Sequence, residues 1–171
     1  IAAGHAPQSI PVLHDLAVVA TIQGDFQLAE ENIKKALKID PGSFKAHYHA
    51  GWFYQIADKH ELALKQCIQS LAIEPTHRFS LLCAGRSALK LNLTQTASKY
   101  LTTLMQQVGE EESTISAVKL TIDAGNTQLF NQWYIDWLTV NNNDPFQLAL
   151  AYGELGETDK AIHYLSKAVK Q

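Results

Sequence analysis

The chain has 171 residues, 46% of them hydrophobic and 18% charged, which is enough apolar content to build a sizeable core. Fourteen basic residues against seventeen acidic ones give a net charge of −3 and a pI near 6.2, so the broad basic footprint of a phosphate-backbone binder is missing and nucleic acid is not expected as a direct partner. No apolar run approaches the roughly 18 residues of a membrane span, so no membrane insertion by this segment is expected.

Along the chain the first signal is a 34-residue interval: Pro7, Pro41 and Pro75 keep it, as do Ala29, Ala63 and Ala97, and Ala17, Gly51 and Gly85. Pro7 reads as the closing proline of an earlier unit. Residues 1–9 are then the tail of a preceding repeat, and the chain, which also lacks an initiator methionine, is expected to be a fragment of a longer protein. A repeat over 10–42 and another over 43–77 follow. In the second, Phe44, His47, Ala50, Gly51 and Tyr54 fall at helical spacing, the polar turn Asp58-Lys59-His60-Glu61 intervenes, and Ala63, Cys67 and Leu71 mark a second helix. Gly51 and Ala63 let the two helices approach closely, and each proline ends its second helix because it lacks an N–H and biases the preceding residue away from helical angles. A repeat over 78–110 keeps Ala84-Gly85, Ala88, Ala97 and Leu101. Residues 111–143 read as a degenerate, helical unit: Ala161 follows Ala97 by 64 residues instead of 68, a phase slip of four. A final repeat covers 144–171, with Asp144 as N-cap and Pro145 as first helical residue. Gly24, Gly125 and Gly156 suit the residue just past a helix end. The acidic run Glu110-Glu111-Glu112 suits a solvated first turn facing the helix dipole.

A period of this length is that of a helix-turn-helix unit that must stack on its neighbours to close its core. The residues from Leu13 to Pro41, from His47 to Pro75, and from Leu148 to Ala168, where Leu148-Ala149, Tyr152, Gly156, Ala161, Leu165 and Ala168 stand, resemble the tetratricopeptide repeat (TPR) family. The resemblance implies an all-α fold: a right-handed superhelix, or α-solenoid, of about four to five antiparallel helix pairs with a concave groove. It covers nearly the whole chain as a single repeat domain.

Signals for covalent or metal chemistry are sparse. Cys67 and Cys83, sixteen apart on adjacent helices, could geometrically pair, but the reading favours two buried free thiols that fill helix-facing sites. Asn92-Leu93-Thr94 is read as a turn and helix N-cap in preference to a glycosylation acceptor. His60-Glu61 opens like a zinc-protease helix, yet Leu64 stands where the second histidine would be, and His47 and His49 fall on different helix faces. No metal, no cofactor and no catalytic residue is expected, and the segment is not expected to be an enzyme. The compartment, cytoplasmic or periplasmic for a bacterial protein, stays open, as does the oligomeric state.

Function must then come from the surface of the stack. The first-helix residues His14, Lys45, Tyr48, His49, Trp52, Phe79, Leu82 and Arg86, with Val18, Gln55 and Lys90 beside them, are expected to line a groove for a protein or peptide, because desolvated aromatic and arginine anchors dominate interface energies. The resemblance supplies one exclusion. TPR domains that grip the acidic tails of chaperones use lysines, asparagines and an arginine, whereas the matching positions here hold His14, Val18, His49, Phe79 and Cys83. Phe130, Trp133, Tyr134, Trp137 and Leu138 form a second aromatic stripe, read mostly as core. The primary reading is a non-enzymatic protein-interaction scaffold. The alternatives are a substrate-binding accessory arm of a larger enzyme such as a transferase, or a sensory domain of a bacterial regulator. The latter rests on Ala46-His47-Tyr48-His49-Ala50-Gly51-Trp52 and Asp144-Pro145-Phe146, which are similar to the repeat regions of winged-helix activators.

Overall fold

The computed structural model describes residues 9–141 and 144–168, and the regular structure among them is entirely helical. The reading of Ile1–Ala6 as a helix tail closed by Pro7 falls outside these residues. Ten helices follow in order: α1 (Ile10–Ile22), α2 (Phe26–Ile39), α3 (Phe44–Ile56), α4 (His60–Ile73), α5 (Arg78–Lys90), α6 (Thr94–Gln107), α7 (Glu112–Asp123), α8 (Gln128–Asn141), α9 (Pro145–Glu154) and α10 (Thr158–Ala168). They form successive antiparallel hairpins, α1 with α2 through α9 with α10. By its contacts the chain divides into two compact units, Ile1–Glu110 and Glu111–Gln171.

The hairpin turns repeat the same backbone device. Past the ends of α1, α7 and α9 the chain turns through a left-handed residue, Gly24 at φ +78°, Gly125 at +80° and Gly156 at +76°, as the glycines suggest. Past α3 and α5 the corresponding positions, each 34 residues on from the last, are Asp58 at φ +58° and Asn92 at +59°. The following N–H closes back across the turn: Asp25 to the Ala20 carbonyl at 2.9 Å, Lys59 to Tyr54 at 2.8 Å, Leu93 to Ala88 at 2.9 Å. Asn92 is therefore a turn residue as expected, but Thr94 is not the cap. Leu93 holds that position, without a side-chain bond, and Thr94 is the first helical residue. True caps are Asp25, Ser43 and Asp144; the Asp144 carboxylate accepts from Phe146 N–H at 2.9 Å and Gln147 N–H at 3.1 Å. α2 and α4 stop two residues before Pro41 and Pro75, with Asp40 and Glu74 in non-helical conformations.

In the first unit, α1 packs on α3 and α3 on α5, whereas α2, α4 and α6 make no such contacts with one another. α1, α3 and α5 therefore form one continuous layer of touching helices, the layer on which the sequence places the groove. Between the layers lies a core of small residues and a few large ones: Ala17, Ala20, Ala29, Ala50 and Ala63 around Ile33, Phe53 and Tyr54. Close approach is enforced at Gly51 and Gly85. A methyl on Gly51 would overlap the Cys67 sulfur, and one on Gly85 the Leu101 side chain.

Cys67 and Cys83 are not free thiols. They form a disulfide from α4 to α5 with Cα atoms 6.1 Å apart. The expectation failed because it weighed each cysteine as an isolated space-filler. The empty position at Gly51 brings both sulfurs to one point, and a hypothetical Gly51 methyl would sit only 3.1 Å from the Cys83 sulfur.

In the second unit, Phe130, Tyr134 and Leu138 are buried while Trp133 and Trp137 are half-buried, so the stripe is mainly core. The phase slip is located elsewhere than in the degenerate segment. From α6 to α8 the starting residues Thr94 and Gln128 are still 34 apart, but from α8 to α10, Gln128 to Thr158, the interval is 30. α9 has 10 residues where α1, α3 and α5 have 13 each. Losing close to one helical turn keeps the remaining side chains on their original faces.

Candidate functional site

The expected groove residues come from three helices of the first unit, and the structure joins several of them in a run of rings. His14 on α1 meets His49 on α3 with centroids 4.3 Å apart and planes at 30°. His49 neighbours Tyr48 at 5.0 Å, and Tyr48 lies 5.9 Å from Phe79 on α5 in a stacked arrangement. A residue that the sequence reading did not select, His77, stands beside this pair. Its ring is 4.9 Å from Tyr48, 6.0 Å from Phe79 and 5.2 Å from Phe44, and it meets all three edgewise.

The remaining expected residues take different positions. Lys45 is exposed, and Trp52 and Arg86 are half-buried. Leu82, at 4% exposure, is buried, and so is His14, at 7%, which makes it the inner end of the ring run. Gln55 joins the layer together: its amide donates to the Cys83 carbonyl and to Ser87 Oγ, both at 3.1 Å, and so ties α3 to α5. Val18 is half-buried and Lys90 exposed.

Burial makes this site electrically quiet. Desolvation pushes His49 down to about 4, helped by the nearby His14, His77 and Lys45 and opposed by Asp15. His14 is lowered chiefly by its burial, against the pull of Asp15, and its Nε2 has no hydrogen-bond partner. His77 is lowered for the same first reason, with Glu74 opposing and Lys45 assisting. At neutral pH the three imidazoles are therefore uncharged rings with one donor and one acceptor nitrogen each. His47, one residue before Tyr48, faces the other way. Its two nitrogens are engaged by Gln66 at 2.7 Å and the Pro41 carbonyl at 2.9 Å, which makes it a structural histidine.

Three groups from three helices hold His77. Its Nδ1 lies 2.7 Å from Ser80 Oγ, Ser80 Oγ donates to Ser70 Oγ at 2.8 Å, and Ser70 Oγ donates to the Phe44 carbonyl at 3.0 Å. Both serines are fully buried, at 0% exposure. The signal in the sequence was faint: a histidine just before a helix and a serine three residues on, with the third member ten residues upstream.

Hairpins of this length and packing define an all-α helical-repeat protein, and the comparisons agree. The tetratricopeptide repeat family model matches residues 10–43 and 146–171, one segment in each of the two units. The crystal structure of the MamA protein is similar over 96% of this chain and 92% of its own, at 17% identity and a TM-score of 0.61. The solved structure of PilF from Pseudomonas aeruginosa is similar over 94% of this chain and 75% of its own, at 19% identity and a TM-score of 0.59. At these identities the likeness is one of fold. No protein of curated function matches the sequence. Among the described residues no helix is long and apolar enough to cross a membrane, and no group of three or more potential ligands is placed to hold a metal ion.

Proposed function

We propose that this chain is a non-enzymatic protein-interaction scaffold whose first unit takes a peptide or protein segment across the concave face of α1, α3 and α5. The observation that carries this reading is the run of rings from His14 through His49, Tyr48 and His77 to Phe79, partly open to solvent on a layer of helices held in register. Partly exposed aromatic side chains contribute large contact area at little entropic cost, and such anchors carry most of an interface's free energy. Phe79, the outer end of the run, is 38% exposed, which suits a contact awaiting a partner. The Cys67–Cys83 disulfide favours an oxidising compartment for the mature protein over the reducing cytosol.

The test is capture of a partner by the purified chain, identification by mass spectrometry, and titration of that partner against Trp52→Ala and Phe79→Ala. Each variant should weaken binding at least tenfold while the helical circular dichroism is unchanged. Equal affinity for both variants and the parent would place the partner elsewhere.

A further inference from the structure

Counting hydrogens along the buried chain that holds His77 settles which of its ring nitrogens carries the proton. The Phe44 carbonyl can only accept, so the single hydroxyl hydrogen of Ser70 is spent on it. The contact between the two serines must then use the hydrogen of Ser80. Ser80 has none left for His77, so the bond at 2.7 Å is donated by His77 Nδ1–H. In the neutral imidazole this leaves Nε2 bare, with an acceptor lone pair on a half-buried ring beside Tyr48 and Phe79.

From this arrangement we infer that His77 Nε2 is the fixed hydrogen-bond acceptor of the groove, and that it takes the hydroxyl of a tyrosine side chain on an extended peptide, whose ring lies against Tyr48 and Phe79. The inference rests on the groove being the binding surface and adds the chemistry of one anchor. Lys45 and Glu74 bear on His77 with opposite sign, so the local field selects neither a cationic nor an anionic group, and a neutral donor fits. The three rings around the imidazole supply the apolar platform that a phenol needs and that a serine or a backbone amide leaves uncovered. Burial holds the imidazole neutral, which keeps the lone pair available. Fixing a histidine tautomer through its second nitrogen is how an acceptor is pre-organised, and here the fixing groups span α3, α4 and α5.

Two measurements test this. Long-range proton–nitrogen NMR on the free protein should show His77 protonated at Nδ1 and bare at Nε2, and Ser80→Ala should shift it toward a tautomer mixture. A dominant Nε2–H form in the parent protein overturns the inference without any ligand. The blocked pentapeptides Ala-Ala-Tyr-Ala-Ala and Ala-Ala-Phe-Ala-Ala are then titrated against the folded chain. The tyrosine peptide should bind about five- to tenfold more tightly and perturb the His77, Tyr48 and Phe79 resonances, and His77→Phe should abolish the preference. Equal affinity of the two peptides, or no binding of either, overturns it. A captured partner that is weakened by Trp52→Ala but indifferent to His77→Phe would leave the groove standing and remove this anchor.

Discussion

His49 shows how one side chain couples the groove to the stability of the stack. Its ring is pressed between His14 and Tyr48, where solvation of an imidazolium is lost and His14, His77 and Lys45 stand near with positive charge in prospect. The folded state therefore holds His49 at about 4 against 6.5 for a fully solvated imidazole. Between those values the unfolded chain binds the extra proton, so stability is fully present above pH 6.5 and is lost as pH falls toward 4. The lowered His14 acts in the same direction. Part of the effect is screened by solvent around the half-buried ring, so the loss between pH 7 and pH 5 is expected to be about 1 kcal/mol. Urea titrations at the two pH values, repeated on His49→Gln, check it: the variant should lose most of the pH slope. An unchanged slope would assign the acid sensitivity to another group.

The hairpin turns bring the same reasoning to elements. Gly24, Asp58 and Asn92 occupy equivalent left-handed positions, and a Cβ built on Gly24 meets nothing within 4 Å. The requirement there is therefore purely one of backbone angle. Gly24→Ala should cost about 1 kcal/mol, whereas Gly24→Asn, which introduces the side chain already tolerated at Asn92, should cost only a few tenths. Thermal or denaturant midpoints of the two variants separate the cases, and equal losses would point to a contact instead of the angle. These turns also show what could be read from residue order. Prolines that end helices, glycines that turn the chain and alanines at helix crossings act through neighbours a few residues away, so Pro41, Pro75, Gly24 and Ala63 announced the hairpins unaided. The phase slip was visible at Ala161, but its place in the short α9 was not, since alanine intervals record a net loss and not the site of it. His77 stayed hidden because its partners Ser70, Ser80 and Phe44 meet only after three helices have packed. The disulfide stayed hidden for a related reason. Two cysteines on neighbouring helices pair only if both point at one gap, and that gap is created by the absent side chain of Gly51.

At the scale of the molecule, a stack of hairpins is held by nearest-neighbour contacts, so its weak points are the junctions between hairpins. The Cys67–Cys83 link crosses the junction between α3/α4 and α5/α6, the same two hairpins that Gln55 joins on the groove side and Ser70 joins to Ser80 near its end. It thus holds α5, with Phe79 and Arg86, in place against α3, with Tyr48 and Trp52. Closing a loop of sequence separation 16 restricts the unfolded chain by an amount worth about 3 kcal/mol, and the whole loop lies within the first unit. Of the three tryptophans, only Trp52 belongs to that unit. In a Trp133→Phe, Trp137→Phe background, Trp52 fluorescence therefore follows it alone. Replacing both cysteines by alanine, or reducing the chain under denaturing conditions and refolding it with the thiols blocked from pairing, should lower the Trp52 unfolding midpoint by the equivalent of about 2–4 kcal/mol. The groove should also loosen, so a captured partner is expected to dissociate faster from the cysteine-free chain at temperatures well below its midpoint. An unaltered midpoint would mean that packing around Gly51 already sets the junction. A lowered midpoint with unaltered dissociation would confine the disulfide to stability and leave the geometry of the ring run to Gln55 and the Ser70–Ser80–His77 chain.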